Sequence, residues 1–134
     1  MKSYTDLRQS KKLAEFLPLE SADMAYIKHS SSDNPTWEFN EDVPPMILGN
    51  VLINELTVEG LPCWSLTALL NYLREIDFFP NIEADEFSVV MNINYYNEEE
   101  ARPLAPVHNI KVENESFIDA CYEMIIRLNE EKLI

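Results

Sequence analysis

The chain has 134 residues, 46% of them hydrophobic, and 24 Asp and Glu against 10 Lys and Arg give it a formal net charge of −14. That apolar content excludes intrinsic disorder, and a chain of this length buries about two thirds of its unfolded surface, so its core needs neither a disulfide nor a metal. The charge excludes general binding to nucleic-acid backbones or anionic membranes in the absence of a basic patch, and the most basic stretch, RQSKK from Arg8 to Lys12, reads as the wet face of a helix.

SYTDLRQSKKLAEFLP, from Ser3 to Pro18, predicts the first helix. Thr5 or Ser3 serves as its cap, and Asp6 favours its positive N-terminal end. Leu13, Phe16 and Leu17 form its apolar edge, and Pro18 ends it, because the residue before a proline is pushed out of the α region. SADMAYIKHS then alternates as a short strand, SSSDNP is a turn cluster, and TWEFN alternates again with Trp37 and Phe39 on one side. Together these predict a hairpin. After the break at EDVPP, the apolar, β-branched stretch MILGNVLINELTVEG holds at least one strand, either bent or turned at Gly49-Asn50. With only two glycines against eight prolines, most loop boundaries fall to Pro, Asn and Asp.

In LPCWSLTALLNYL, Leu66, Leu69, Leu70 and Leu73 fall on one helix face. Ser65 is the expected N-cap, which makes Trp64 and Leu69 the two positions of a hydrophobic staple. Pro62 stiffens the approach, and only Cys63 is left without a structural role. DFFPNIEADE reads as a loop broken by Pro80. FSVVMNINYYN is the clearest strand, with Phe87, Val89, Met91, Ile93 and Tyr95 on its core face, and VHNIKVEN is its returning partner. The last helix is capped by Ser116 with Asp119 at the third helical position. Phe117, Ala120, Cys121, Met124 and Leu128 form its stripe, widened by Ile118, Tyr122 and Ile125. The switch of apolar period from 2 to 3.6 predicts an α+β protein: a small antiparallel sheet packed against two or three helices, in a single domain spanning 1–134.

Three segments carry a resemblance: Glu20 to Met24 (ESADM), Pro62 to Leu70 (PCWSLTALL) and Asp119 to Leu128 (DACYEMIIRL). In these motifs, which recur in order over most of its length, the chain resembles small uncharacterised proteins of Bacteroidetes genomes, of the prophage or mobile-element type. The resemblance implies a bacterial cytoplasmic protein of mobile-element origin. It carries no activity and no site residues. The family often places another small residue at the second position of P-x-W-S-L, which implies that Cys63 is not a required nucleophile.

The candidate chemistry is sparse. A helix start lowers a thiol pKa, and His29 and His108 are the available bases for Cys63, but capping alone explains the stretch around it. Cys121 sits in the stripe of a helix and reads as core. His29 and His108 stand alone, EADE and EEE lack the alternating ligands of a calcium loop, and no glycine-rich phosphate loop or serine elbow occurs. No catalytic, cofactor-binding or metal-binding residue is therefore assigned, and no cofactor is expected. Of the aromatic residues, Trp37 and Tyr96 lie beside polar turns and are the candidates for an exposed interaction surface.

The N-terminus has no apolar core of a signal peptide and no run approaches transmembrane length, so a cytoplasmic protein with free thiols is expected, without a nucleic-acid or membrane partner. The leading function is a non-enzymatic interaction or accessory protein with a basic protein partner. Two other classes stand beside it: an acidic DNA mimic that inhibits a host nucleic-acid-binding protein, and a small enzyme using Cys63.

Overall fold

The computed structural model describes residues 3–29, 36–40, 49–53, 56–96 and 107–134. The chain divides into two compact units, Lys2–Leu69 and Leu70–Ile134. The described residues form an α+β structure of antiparallel sheets and helices, as the change in period predicts. Among the described residues there are two sheets, where one was expected.

In the first unit, helix α1 spans Leu7–Leu13. Its cap is Asp6, which accepts from the Gln9 N–H at 2.8 Å while the Gln9 side chain accepts from the Asp6 N–H at 3.1 Å. This reciprocal capping box displaces Thr5 and Ser3 from the capping role. The helix ends five residues ahead of Pro18, and the chain turns once more before the proline, with the Leu17 N–H donating to the Leu13 carbonyl at 2.8 Å. Leu13 and Leu17 are buried as expected, but so are Gln9 and Ser10, within the stretch read as a wet face. Arg8, Lys11 and Lys12 alone keep that face exposed.

Strands β1 (Met24–His29), β2 (Glu38–Asn40), β3 (Gly49–Ile53) and β4 (Leu56–Cys63) form a sheet of order β2-β1-β4-β3. The predicted hairpin is present, with Tyr26 opposite Phe39. The register of β3 on β4 pairs Ile53 with Leu56 and Gly49 with Gly60. Gly49-Asn50 therefore forms the first two residues of β3, and the chain's two glycines face each other, where two backbones approach closely. The pairing of β4 with β1 continues to Cys63 opposite Met24. Pro62 and Cys63 are thus the end of a strand, and Trp64 links it to the helix that follows. Tyr26, Leu61 and Cys63 form the core under this face, with Tyr4, Leu7, Met24, Trp37 and Phe39 packed against them. Tyr4 stacks flat on Phe39 at 3.9 Å between ring centroids.

Helix α2, Leu66–Glu75, begins at Ser65, whose hydroxyl accepts from the Ala68 N–H at 3.1 Å. Asp23 completes the cap by accepting from both the N–H and the hydroxyl of Ser65. The buried positions are Ala68, Leu69, Tyr72 and Leu73, whereas Leu66 and Leu70 are half-buried, so the helix is turned from the face its leucines suggest.

In the second unit, β5 (Asn81–Ala84), β6 (Val89–Tyr96) and β7 (Val107–Asn114) form an antiparallel sheet in that order. Val89, Met91 and Ile93 of β6 and Ile110 and Val112 of β7 are buried, and helix α3, Phe117–Glu130, packs on these two strands. Ser116 caps α3 by accepting from the Asp119 N–H at 3.1 Å. Its buried residues are Ile118, Ala120, Cys121, Met124, Ile125 and Leu128, while Phe117 stays partly exposed at the first turn.

Two positions in the second unit depart from the expected pattern. Strand β5 occupies a segment read as loop. Phe87, assigned to the core face, is 82% exposed. It lies in the β5–β6 turn, where the Asp85 carboxylate accepts from the N–H groups of Phe87 and Ser88 at 2.7 and 2.8 Å. This side-chain turn starts the strand at Val89 and leaves the preceding aromatic outside.

Candidate functional site

Cys63 is the last residue of β4 and is fully buried. Its thiol lies 3.4 Å from the Thr5 carbonyl oxygen, to which it donates, and 3.6 Å from the Thr5 hydroxyl. The Thr5 hydroxyl also accepts from the Trp64 N–H at 3.1 Å and lies 2.8 Å from the Ser10 hydroxyl. The Tyr26 hydroxyl donates to the Thr5 carbonyl at 2.8 Å. Burial raises the Cys63 pKa, and hydrogen bonds from Thr5 and Ser10 only partly oppose it. Burial likewise raises Tyr26. A nucleophilic thiolate needs exposure and a positive neighbour. Cys63 has instead a protonated thiol inside a hydrogen-bonded joint that ties residues 3–5 to the entry of α2.

Cys121 is fully buried in α3, and burial pushes its thiol up to about 12. Both cysteines are free thiols. His108 stacks against Tyr95 at 5.3 Å, and the side chain of His29 lies outside the described residues. Among the described residues no group of three or more His, Cys, Asp or Glu is placed to hold a metal ion. The EEE stretch, 98–100, lies outside those residues.

The two aromatic candidates differ. Trp37 is half-buried, with the Lys28 ammonium 4.9 Å and the Lys11 ammonium 5.9 Å from its ring centroid. Lys28 is also paired with Glu59 at 3.1 Å, across the β1–β4 register. The indole ring thus meets cations of its own chain. Tyr96 ends β6 opposite Val107, and its side chain lies outside the described residues.

The exposed apolar side chains lie elsewhere. Besides Val107 at 53% and Phe117 at 36%, which open β7 and α3, Phe79, Ile82 and Phe87 are 64%, 38% and 82% exposed. These last three precede, occupy and follow β5, all four residues of which are exposed. Residues 79–87 carry Glu83, Asp85 and Glu86 with no Lys or Arg among them, and all three carboxylates are exposed. Asp85 titrates below its ordinary value, because its carboxylate holds the turn's N–H groups. A protein surface normally scatters its large apolar groups singly. Here exposed aromatic rings, an exposed aliphatic side chain and carboxylates occur within one short segment around β5.

Two sequence signals mark this segment. Pro80-Asn81 sets a chain break just before the strand, and Asp85 three residues before Ser88 is the signature of the turn that expels Phe87. Both are masked by the regular alternation from Phe87 to Tyr95, which reads as one uninterrupted strand.

The fold and this edge define a small α+β protein with an acidic, aromatic strand edge. Compared with protein-family models, with curated proteins and with solved structures, the chain matches none. Among the described residues no helix is long and apolar enough to cross a membrane.

Proposed function

We propose that the chain is a non-enzymatic interaction or accessory protein, acting in the bacterial cytoplasm for a mobile element, and that its partner is a basic protein. The observation that carries this reading is the exposure of Phe79, Ile82 and Phe87 within a segment whose charged groups are all carboxylates. Apolar rings supply affinity when a partner desolvates them, and carboxylates at the rim select a cationic partner and speed its approach. The net charge of −14 acts in the same direction over longer distances. The resemblance in ESADM, PCWSLTALL and DACYEMIIRL supports the mobile-element setting. The burial of Cys63 speaks against thiol catalysis.

The test is capture from bacterial lysate on the immobilised chain at low and at high salt. A basic protein retained at low salt and released at high salt is the expected result. Retention of nothing above a control of equal charge, or of partners indifferent to salt, overturns the reading. Displacement of the captured protein by duplex DNA would move the DNA-mimic reading ahead of it.

A further inference from the structure

We infer that the free edge of β5 is a docking edge, and that its occupant is an extended segment of the partner in which Lys or Arg alternates with aliphatic residues. Strand β5 pairs only with β6, so its other edge has no ladder partner among the described strands. Natural proteins blunt such edges with lysines, prolines, bulges or covering segments, because outward N–H and C=O groups otherwise recruit another strand. Strand β5, NIEA, carries no lysine and no proline, and all four of its residues are exposed. Its one charge is Glu83, and beside it stands the exposed Ile82, with Phe79 before the strand and Phe87 after it. Strand addition gains its affinity from main-chain hydrogen bonds and its specificity from alternate side chains.

The charges choose the occupant. Glu83 within the strand and Asp85 and Glu86 just after it are exposed carboxylates, and residues 79–87 hold no Lys or Arg. A second copy of this chain would bring the same carboxylates against them, and like charges on facing strands destabilise pairing. A cationic strand with aliphatic side chains between its charges satisfies both features at once. The ammonium and guanidinium groups meet the carboxylates, and the aliphatic groups meet Ile82 and the two rings.

This inference rests on the interaction reading above, and its test keeps the two apart. The probe is a fluorescein-labelled peptide of about ten residues alternating Lys with Val, long enough to cover one strand. Two controls carry the same charge: a Lys–Ser peptide, and the Lys–Val peptide N-methylated at alternate residues to remove its ladder donors. Fluorescence anisotropy should show the Lys–Val peptide binding at least about tenfold more tightly than either control, a difference of about 1.4 kcal/mol. Phe79→Ser/Phe87→Ser and Glu83→Lys, each folded by circular dichroism, should weaken that binding by a similar factor. Amide exchange at Asn81–Ala84 should slow when the peptide is bound. Equal binding of the Lys–Ser or N-methylated peptide overturns the docking edge, as does unchanged binding to both variants. Self-association that Phe87→Ser abolishes would also overturn it, by naming a second copy as the occupant. A cellular partner still captured in full by Phe79→Ser/Phe87→Ser defeats the edge and leaves the interaction reading standing. Failure of the wild-type chain to bind any basic probe or partner defeats both.

Discussion

Thr5 is fully buried between α1 and the end of β4, and its hydroxyl accepts the Trp64 N–H at 3.1 Å. Thr5→Val keeps the volume and removes that acceptor, leaving a buried donor unsatisfied. The expected loss is about 1–3 kcal/mol. Thr5→Ser, which retains the hydroxyl, should lose less. Urea melts followed by tryptophan fluorescence check this, since both tryptophans lie in Lys2–Leu69. A Thr5→Val melt no weaker than that of Thr5→Ser would show that the hydroxyl is dispensable. The cysteines make a second residue-scale case. Cys121 holds its proton to about 12 in the folded chain against an ordinary 9.0. Its contribution is therefore complete below pH 9 and drains away as pH rises from 9 towards 12, by about 1.4 kcal/mol per pH unit. Cys63 shifts in the same direction, also through burial. Stability should fall steadily above pH 9, and Cys121→Ala should show a shallower fall by circular dichroism in urea. Parallel slopes for the variant and the wild type would rule out this linkage. Iodoacetamide should modify both thiols slowly in the native chain and rapidly in denaturant. Fast native labelling of Cys63 would restore the enzyme reading.

The helices end without glycine, and the ends of α2 and α3 show how. After α2 the Phe78 N–H reaches back to the Leu73 carbonyl at 2.9 Å and the Asp77 N–H to Arg74 at 3.1 Å. After α3 the Leu133 N–H reaches Leu128 at 2.9 Å and the Lys132 N–H reaches Asn129 at 3.0 Å. Each is a Schellman closure, whose pivotal residue must be left-handed. Asp77 and Lys132 hold φ of 63° and 58° there. A β-carbon makes that conformation unfavourable, more so for lysine than for aspartate, whose short polar side chain tolerates it. Lys132→Gly should therefore raise stability by about 0.5–1 kcal/mol, and Asp77→Gly by less. Thermal melts of the two variants test the order. A loss of stability in Lys132→Gly would mean that the lysine side chain holds the end of α3 by other contacts.

At the scale of the whole molecule the net charge of −14 dominates. Unbalanced carboxylates repel one another across the folded surface, and salt screens that repulsion, with a Debye length of about 30 Å at 0.01 M and about 10 Å at 0.1 M. Sodium chloride added over that range should raise Tm by a few degrees. A flat or falling Tm would mean that local pairs, such as Lys28 with Glu59, outweigh the global repulsion. The same screening should weaken capture of a basic partner, so stability and binding are expected to respond to salt in opposite directions.

Much of the architecture was legible because it depends on near neighbours in the chain. Ser65 and Ser116 cap the helices they were expected to cap, since a cap needs only a hydroxyl and an N–H three residues on. Met24–His29 with Glu38–Asn40, and Val89–Tyr96 with Val107–Asn114, pair as their alternation suggests. The candidate edge was not legible, because Phe79 and Ile82 fall in a segment that reads as loop and Phe87 falls in an alternation that reads as a core face. Exposure depends on what lies opposite, and one side chain, Asp85, ends the alternation before it reaches Phe87. By itself, then, the sequence determined the α+β class, the two later helices, the paired strands and the acidic character of the surface, all of which follow from local periodicity, capping and charge. Only the tertiary structure decided that Gln9, Ser10 and Thr5 go inside, that Asn81–Ala84 is a strand, that the described strands form two sheets, and that Phe79, Ile82 and Phe87 face solvent. Each of those outcomes depends on partners distant in the chain, or on a single hydrogen bond that outweighs a local pattern.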